Sequence, residues 1–261
     1  MVAQSVINYS SVCSPIFFKL ILPWLSISNT FTIIVSPTER TSSTFSILSF
    51  DIFDTLIERN VEKPTDIFFQ VGVGCFSNYE MAMDFQKRRI IAEHIARNIS
   101  KTGEVNLDDI YNALEGYDFE TCKKLKNEEI HTEINSCYPR SQIVELFNEL
   151  KNMGVPLVLI SDMYLPKNCL IKILTKCGID GYKALFVSNE YGCDKISGDL
   201  FKIVHKEWRI KDVAHLHYGD SIKADILGAR KAKVTPCLVL KRNWFKLFIN
   251  KLYESIGSKC R

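Results

Sequence analysis

Ser49-Phe50-Asp51-Ile52-Phe53-Asp54-Thr55-Leu56 is the stretch from which the rest of this 261-residue chain can be read. It follows Phe45-Ser46-Ile47-Leu48, a short apolar run of the kind that forms a buried strand. Two carboxylates, Asp51 and Asp54, therefore stand at the carboxyl end of a strand, which is where open α/β sheets bind ligands. Acids held that close repel each other and separate in proton affinity unless a cation lies between them. Taken alone, the octapeptide is equally a strand end followed by an Asp-capped turn. The remainder of the chain discriminates.

Outward from this stretch, strand-like runs recur at 155–160, 184–187, 214–218 and 236–240. Helical stretches near 167–177, 199–209 and 224–233 separate them. The runs are short, continuous and apolar, as strands buried on both faces should be. This rhythm predicts an α/β fold with a mostly parallel sheet and helices on both faces. The segment between the first and second strands reads almost wholly helical. Residues 81–99 place Phe85, Ile91, Ile95 and Ile99 at helical spacing. Asn106 caps a helix beginning at Leu107, with Asp108 and Asp109 in its first turn. Residues 119–134 and 141–153 follow, the latter stopped at Gly154. A crossover needs only one helix, so the surplus predicts an inserted all-helical subdomain. The expected organisation is an extension over 1–44, a core over 45–63 and 140–241, a helical insert over 64–139, and a basic amphipathic helix over 242–261.

With 46% hydrophobic residues the chain can bury a full core. Its 33 basic and 30 acidic residues argue against nucleic-acid binding through a basic surface. Nine cysteines show no zinc-type pairing, and their odd number argues against a complete disulfide framework; free thiols and a cytoplasmic location are expected. Ile16 to Val35 is apolar but interrupted by Lys19, Pro23 and several Ser and Thr residues, short of a spanning helix. The extension is read as loosely packed, with membrane contact as its alternative. In the tail, Trp244, Phe248, Leu252 and Ile256 share one helical stripe, read as packing against the core rather than as a membrane-surface or partner helix. Nothing indicates an oligomeric state.

Three further strand ends suit the Asp51/Asp54 pair. Ile160-Ser161-Asp162 offers a hydroxyl and exposed backbone N–H groups, and Cys193-Asp194-Lys195 offers a cation before a helix. His217-Tyr218-Gly219-Asp220-Ser221-Ile222-Lys223-Ala224-Asp225 ends a strand in Gly-Asp, with a second acid at the start of the next helix. Singly, each is an ordinary turn former, solvated lysine or helix cap. Together they supply hard oxygen ligands suited to Mg²⁺ from Asp51 and Asp220, and a lysine to offset repulsion between anions. A carboxylate nucleophile could then attack phosphorus. Ser161 and nearby N–H groups would hold phosphoryl oxygens, and Asp54 would act as general acid and base.

On these motifs, over about residues 45–240, the chain resembles the haloacid dehalogenase superfamily. Asp51 to Leu56 matches the first motif, Ser161 the second, Lys195 the third, and Gly219-Asp220 with Asp225 the fourth. The resemblance implies a Rossmann-like core and an aspartyl-phosphate intermediate on Asp51. Asp54 would be the acid/base and would also ligate Mg²⁺ through its backbone carbonyl. Lys195 would steady the nucleophile, Asp220 would bind Mg²⁺, and Asp225 would bind or orient it. The insert looks like the family's C1 cap, with Thr55 to Lys63 as hinge and flap. More narrowly, Pro64-Thr65-Asp66-Ile67-Phe68 and Ile160 to Pro166 look like a bacterial subgroup found beside polysaccharide glycosyltransferases.

The function expected is Mg²⁺-dependent phosphohydrolysis of a small phosphorylated metabolite, sugar phosphates among the candidates. A phosphomutase or other phosphotransferase on the same fold is the nearest alternative. A dehalogenase would use Asp51 but leave a metal site superfluous, and a non-catalytic binding module of polysaccharide biosynthesis would not need the full set of side chains. Arg59 in the flap, with Lys87, Arg88 and Arg89 in the insert, read as solvated surface charges.

Overall fold

The computed structural model describes residues 45–208 and 214–240; the extension over 1–44 and the helix expected over 242–261 lie outside them. The chain runs β1 (Phe45–Phe50), β2 (Ile57–Arg59), α1 (Asp66–Phe76), α2 (Tyr79–Ile99), α3 (Leu107–Asn112), α4 (Phe119–Ser136) and β3 (Cys137–Pro139). It continues through α5 (Ser141–Asn152), β4 (Leu157–Ser161), α6 (Lys167–Lys176), β5 (Ala184–Val187), a single turn α7 (Ser188–Tyr191) and α8 (Asp199–Glu207). Then come β6 (Ala214–Gly219), a π-helical segment (Ile222–Gly228) running into α9 (Ala229–Lys231), and β7 (Thr235–Leu238).

Five strands form a parallel sheet in the order β5-β4-β1-β6-β7. The chain builds outward from β1 to β4 and β5, then returns to β1's other side for β6 and β7. The order therefore reverses at β1, and the crevice beyond that strand's carboxyl end is the expected ligand position. Strand alternation divides the core in two. Leu48, Phe50, Leu157, Leu159, Leu185, Leu216 and Tyr218 meet Val144 and Phe147 of α5 and Leu170, Ile173 and Leu174 of α6. Ile47, Val158, Ile160 and Phe186 on the opposite face meet Leu200, Phe201 and Val204 of α8 and Ala229 of α9. Helices thus cover both faces. β4 starts two residues later than its apolar run because Pro156 has no N–H for the ladder, although its carbonyl still accepts from Leu48.

Between β2 and β3 the chain is helical, and these two short strands pair antiparallel as a ribbon. Asn106 makes a reciprocal capping box with Asp109 at the start of α3. The face of α2 differs from expectation. Phe85 is buried, but Ile91, Ile95 and Ile99 are exposed, and Ala82, Arg89, Ala92 and Ala96 turn inward instead. Arg89 takes the interior position because Glu129 of α4 meets its guanidinium with two hydrogen bonds, of 2.8 and 2.7 Å. The aromatic rings of Phe68 and Tyr164 lie 4.3 and 4.9 Å from the charge. Arg59 is likewise paired, with Glu133, and lies over Phe53, whereas Lys87 and Arg88 are exposed as expected. Among the described residues no helix is long and apolar enough to cross a membrane. The seven described cysteines are free.

Candidate active site

The ends of β1, β4 and β6 and the loop between α7 and α8 converge on one cavity of about 470 Å³, lined by Asp51, Asp54, Ser161, Lys195, Asp220 and Asp225. Asp51 follows β1 directly and its N–H donates to the Tyr218 carbonyl (2.8 Å), which carries the β1–β6 ladder one residue past β1. Lys195 is buried, with Nζ 2.6 Å from Asp51 Oδ1 and 2.6 Å from Asp225 Oδ1. Its backbone N–H donates to both carboxylate oxygens of Asp162, at 3.0 and 3.1 Å, so the acid after β4 holds the loop that carries the lysine. Ser161 is buried at the tip of β4.

Two glycines make this convergence sterically possible. A Cβ on Gly219 would stand 2.2 Å from Asp225 Cγ, and one on Gly228 would stand 1.9 Å from the Lys195 carbonyl oxygen. The π-helical segment supplies the other half of the fit. Its wide turn brings Asp225 back under Gly219, where Oδ2 accepts from the Ser221 N–H at 2.9 Å. The sequence led us to expect an ordinary helix over 224–233; π-turns of this kind concentrate at functional sites.

The Lys195 ammonium is shared between Asp51 and Asp225, and Asp220 stands beside them. Oxygens of Asp51, Asp220 and Asp225 lie within 4.8 Å of one another. Burial, reinforced by Asp225 and Asp220 and opposed by Lys195, pushes the Asp51 carboxyl up to about 8. Burial also works against the Asp225 anion, but Lys195 and His217 outweigh it and hold that carboxyl well below its ordinary range. For Lys195, desolvation is outweighed by Asp51 and Asp225, so it stays an ammonium. Three hard oxygen donors that can converge on one point fit a divalent cation such as Mg²⁺. The Asp54 carboxylate is not part of that cluster; the metal ligand expected of this residue is its backbone carbonyl. Asp54 lines the same cavity with a left-handed backbone (φ 60°), and its carbonyl accepts from Arg140 Nη1 at 2.5 Å.

Asp162, Gly228, His217 and Arg140 bear on the site without having been singled out from the sequence. A glycine inside a helical run was the one available signal for Gly228; the others depend on tertiary contacts.

Comparison with known proteins gives the family and the fold. The model of the haloacid dehalogenase-like hydrolases matches residues 45–233, and the chain belongs to that family. Its fold is similar to that of 2-haloacid dehalogenase from Pseudomonas syringae pv. Tomato DC3000, at 16% identity and a TM-score of 0.54, over 73% of this chain and 84% of that one. YfnB from Bacillus subtilis, solved with magnesium, gives 18% identity and a TM-score of 0.53 over 75% and 88%. A Thermotoga maritima protein assigned as a β-phosphoglucomutase gives 13% and 0.52 over 78% and 99%. No curated protein matches the sequence.

Proposed function

We propose that this hydrolase is an Mg²⁺-dependent phosphohydrolase of small phosphorylated metabolites, acting through an aspartyl-phosphate on Asp51. The observation that carries this reading is the Lys195 ammonium, buried between Asp51 and Asp225 beside Asp220. A halide-displacing site has no need of three clustered carboxylates, whereas a phosphoryl site needs positive charge that such a cluster can recruit. Asp51 and Asp220 would hold the cation, with Asp225 orienting Lys195; bound there, Mg²⁺ would offset the charge on transferring phosphoryl oxygens. Asp51 supplies the attacking oxygen, and Lys195 keeps that carboxylate aimed and partly neutralised. Ser161 and the N–H groups beyond β4 bind phosphoryl oxygens. Asp54 donates a proton to the departing oxygen and later takes one from the attacking water.

Across the cavity stand Thr65, Glu93, Glu133, Arg59 and Tyr164. Arg59 is bound bidentately by Glu133, so this wall presents hydrogen-bonding groups rather than a strongly cationic surface. That suits a hydroxylated leaving group, such as that of a sugar phosphate.

The test is phosphate release from an aryl phosphate and from a panel of sugar and polyol phosphates. Mg²⁺-dependent turnover abolished by Asp51→Asn is expected. Turnover indifferent to chelation, or surviving that substitution, would overturn the mechanism. Asp54→Asn should cost about 10²–10⁴-fold in kcat, the range of a general acid/base.

A further inference from the structure

Beneath the site, on the sheet face covered by α8, runs a thread of polar side chains. His205 Nε2 lies 2.9 Å from His215 Nδ1, and His215 Nε2 lies 2.7 Å from Ser49 Oγ. Ser49 Oγ lies 2.7 Å from His217 Nδ1, and His217 Nε2 lies 3.0 Å from Asp225 Oδ1. Ser49, His215, His217 and Asp225 are each at most 1% exposed. Around them the layer is apolar, with the Phe201 ring 4.8 Å from His217. Such groups are costly to bury unless every donor finds an acceptor. Among the described residues no buried side-chain nitrogen or oxygen lacks a partner.

That completeness fixes the direction of the thread. A carboxylate only accepts, so His217 Nε2 must carry the proton given to Asp225. A second proton on Nδ1 would place a cation in an apolar layer beside the Lys195 ammonium, which shares the same Asp225 oxygen. Nδ1 is therefore bare and accepts from the Ser49 hydroxyl, whose oxygen in turn accepts from His215 Nε2–H. His215 Nδ1 then accepts from His205 Nε2–H. Each ring is neutral with its proton on Nε2, and the hydrogen bonds point one way, toward the site.

We propose that His217 is a positioning residue: it holds Asp225 in the orientation that grips Lys195, and is itself oriented by Ser49, His215 and His205. The thread ends on Asp225 Oδ1, the same atom that binds the lysine, so a misplaced imidazole is felt at Asp51 through two short contacts. The catalytic consequence rests on the phosphohydrolase reading above; the tautomers and the effect on cation binding do not.

The experiment has two arms. Long-range ¹H–¹⁵N NMR of the metal-free full chain near neutral pH should show His205, His215 and His217 neutral and protonated at Nε2. A His217 that carries its proton on Nδ1 alone, and so has no donor for Asp225, would overturn the proposal. In the second arm, His217→Leu removes the donor to Asp225 and His217→Gln retains one at the equivalent position. His217→Leu should lower kcat, and separately the calorimetric affinity for Mg²⁺ alone, by about 10–100-fold with KM little changed. His217→Gln should restore most of both. Equal damage in the two variants, or a change confined to KM, would also overturn it. If His217→Leu does not fold, the wild-type tautomers and His217→Gln decide, since a Gln variant that binds Mg²⁺ as weakly as the metal-site variant Asp220→Asn refutes the role. A wild-type protein that binds Mg²⁺ but releases no phosphate would sink the phosphohydrolase reading and leave this comparison intact.

Discussion

At Lys195 one ammonium divides itself between two carboxylates, and the consequences are titratable. Removing it by Lys195→Ala should lower kcat roughly 10²–10³-fold, as losing a preorganised donor does, and push the Asp51 carboxyl above the value of about 8 it holds now. Titration of the metal-free variant would show the Asp51 carboxyl displaced to higher pH. The raised Asp51 pKa also has a definite sign for cation binding. Below about 8 the cation must displace a proton, so Mg²⁺ affinity of the metal-free protein should rise roughly tenfold per pH unit toward that value, with one proton released. Calorimetry in buffers of different ionisation enthalpy measures this directly, and a flat affinity would contradict it. In folding terms, a carboxyl raised from its ordinary 3.8 contributes stability that is full below that pH and lost as pH climbs through about 8. At this scale the sequence was informative, because strand-end acids, serine and lysine need only their order to be recognised. Asp54 was less so, since its left-handed backbone and the Arg140 contact at its carbonyl are tertiary outcomes.

Among the elements, the π-helical segment and the loop carrying Lys195 touch at a point with no room for a side chain. Gly228→Ala should therefore displace the Lys195 loop, costing about 1–3 kcal/mol in urea unfolding together with a loss of kcat. Helix α2 gives a different lesson. Its helical period was legible, but its buried face was not, because hydrophobicity alone favours the isoleucines over an arginine. Glu129, on another helix, meets the guanidinium with two hydrogen bonds and makes Arg89 an interior residue. Replacing Arg89 with Met leaves that carboxylate stranded and should cost about 3–5 kcal/mol. Arg89→Met combined with Glu129→Leu should recover much of the loss. Chemical denaturation of the two variants side by side checks both figures.

Over the whole molecule, the helices between β2 and β3 leave and rejoin the sheet domain through a single ribbon, and Arg140 fastens its base. Its guanidinium reaches the Asp54 carbonyl, Glu58 and the Leu240 carbonyl. Arg140→Ala should raise hydrogen exchange over 57–59 and 137–139 and lower kcat by up to about 10²-fold, the scale of a small misplacement at the chemistry. The alternation of apolar runs disclosed the sheet and the inserted helices, since both follow from local period and length. The strap at Arg140 and the histidine thread were hidden, because each joins residues distant in sequence whose local patterns look unremarked. For anyone engineering a sturdier enzyme, the thread carries a warning. Ser49 and His215 occupy the interior of an otherwise oily layer, so any hydrophobicity score would nominate them first for exchange to alanine and valine. Heat tolerance gained there would be drawn from the same atoms that aim the lysine, and a screen that watched melting temperature alone would select for failing catalysts.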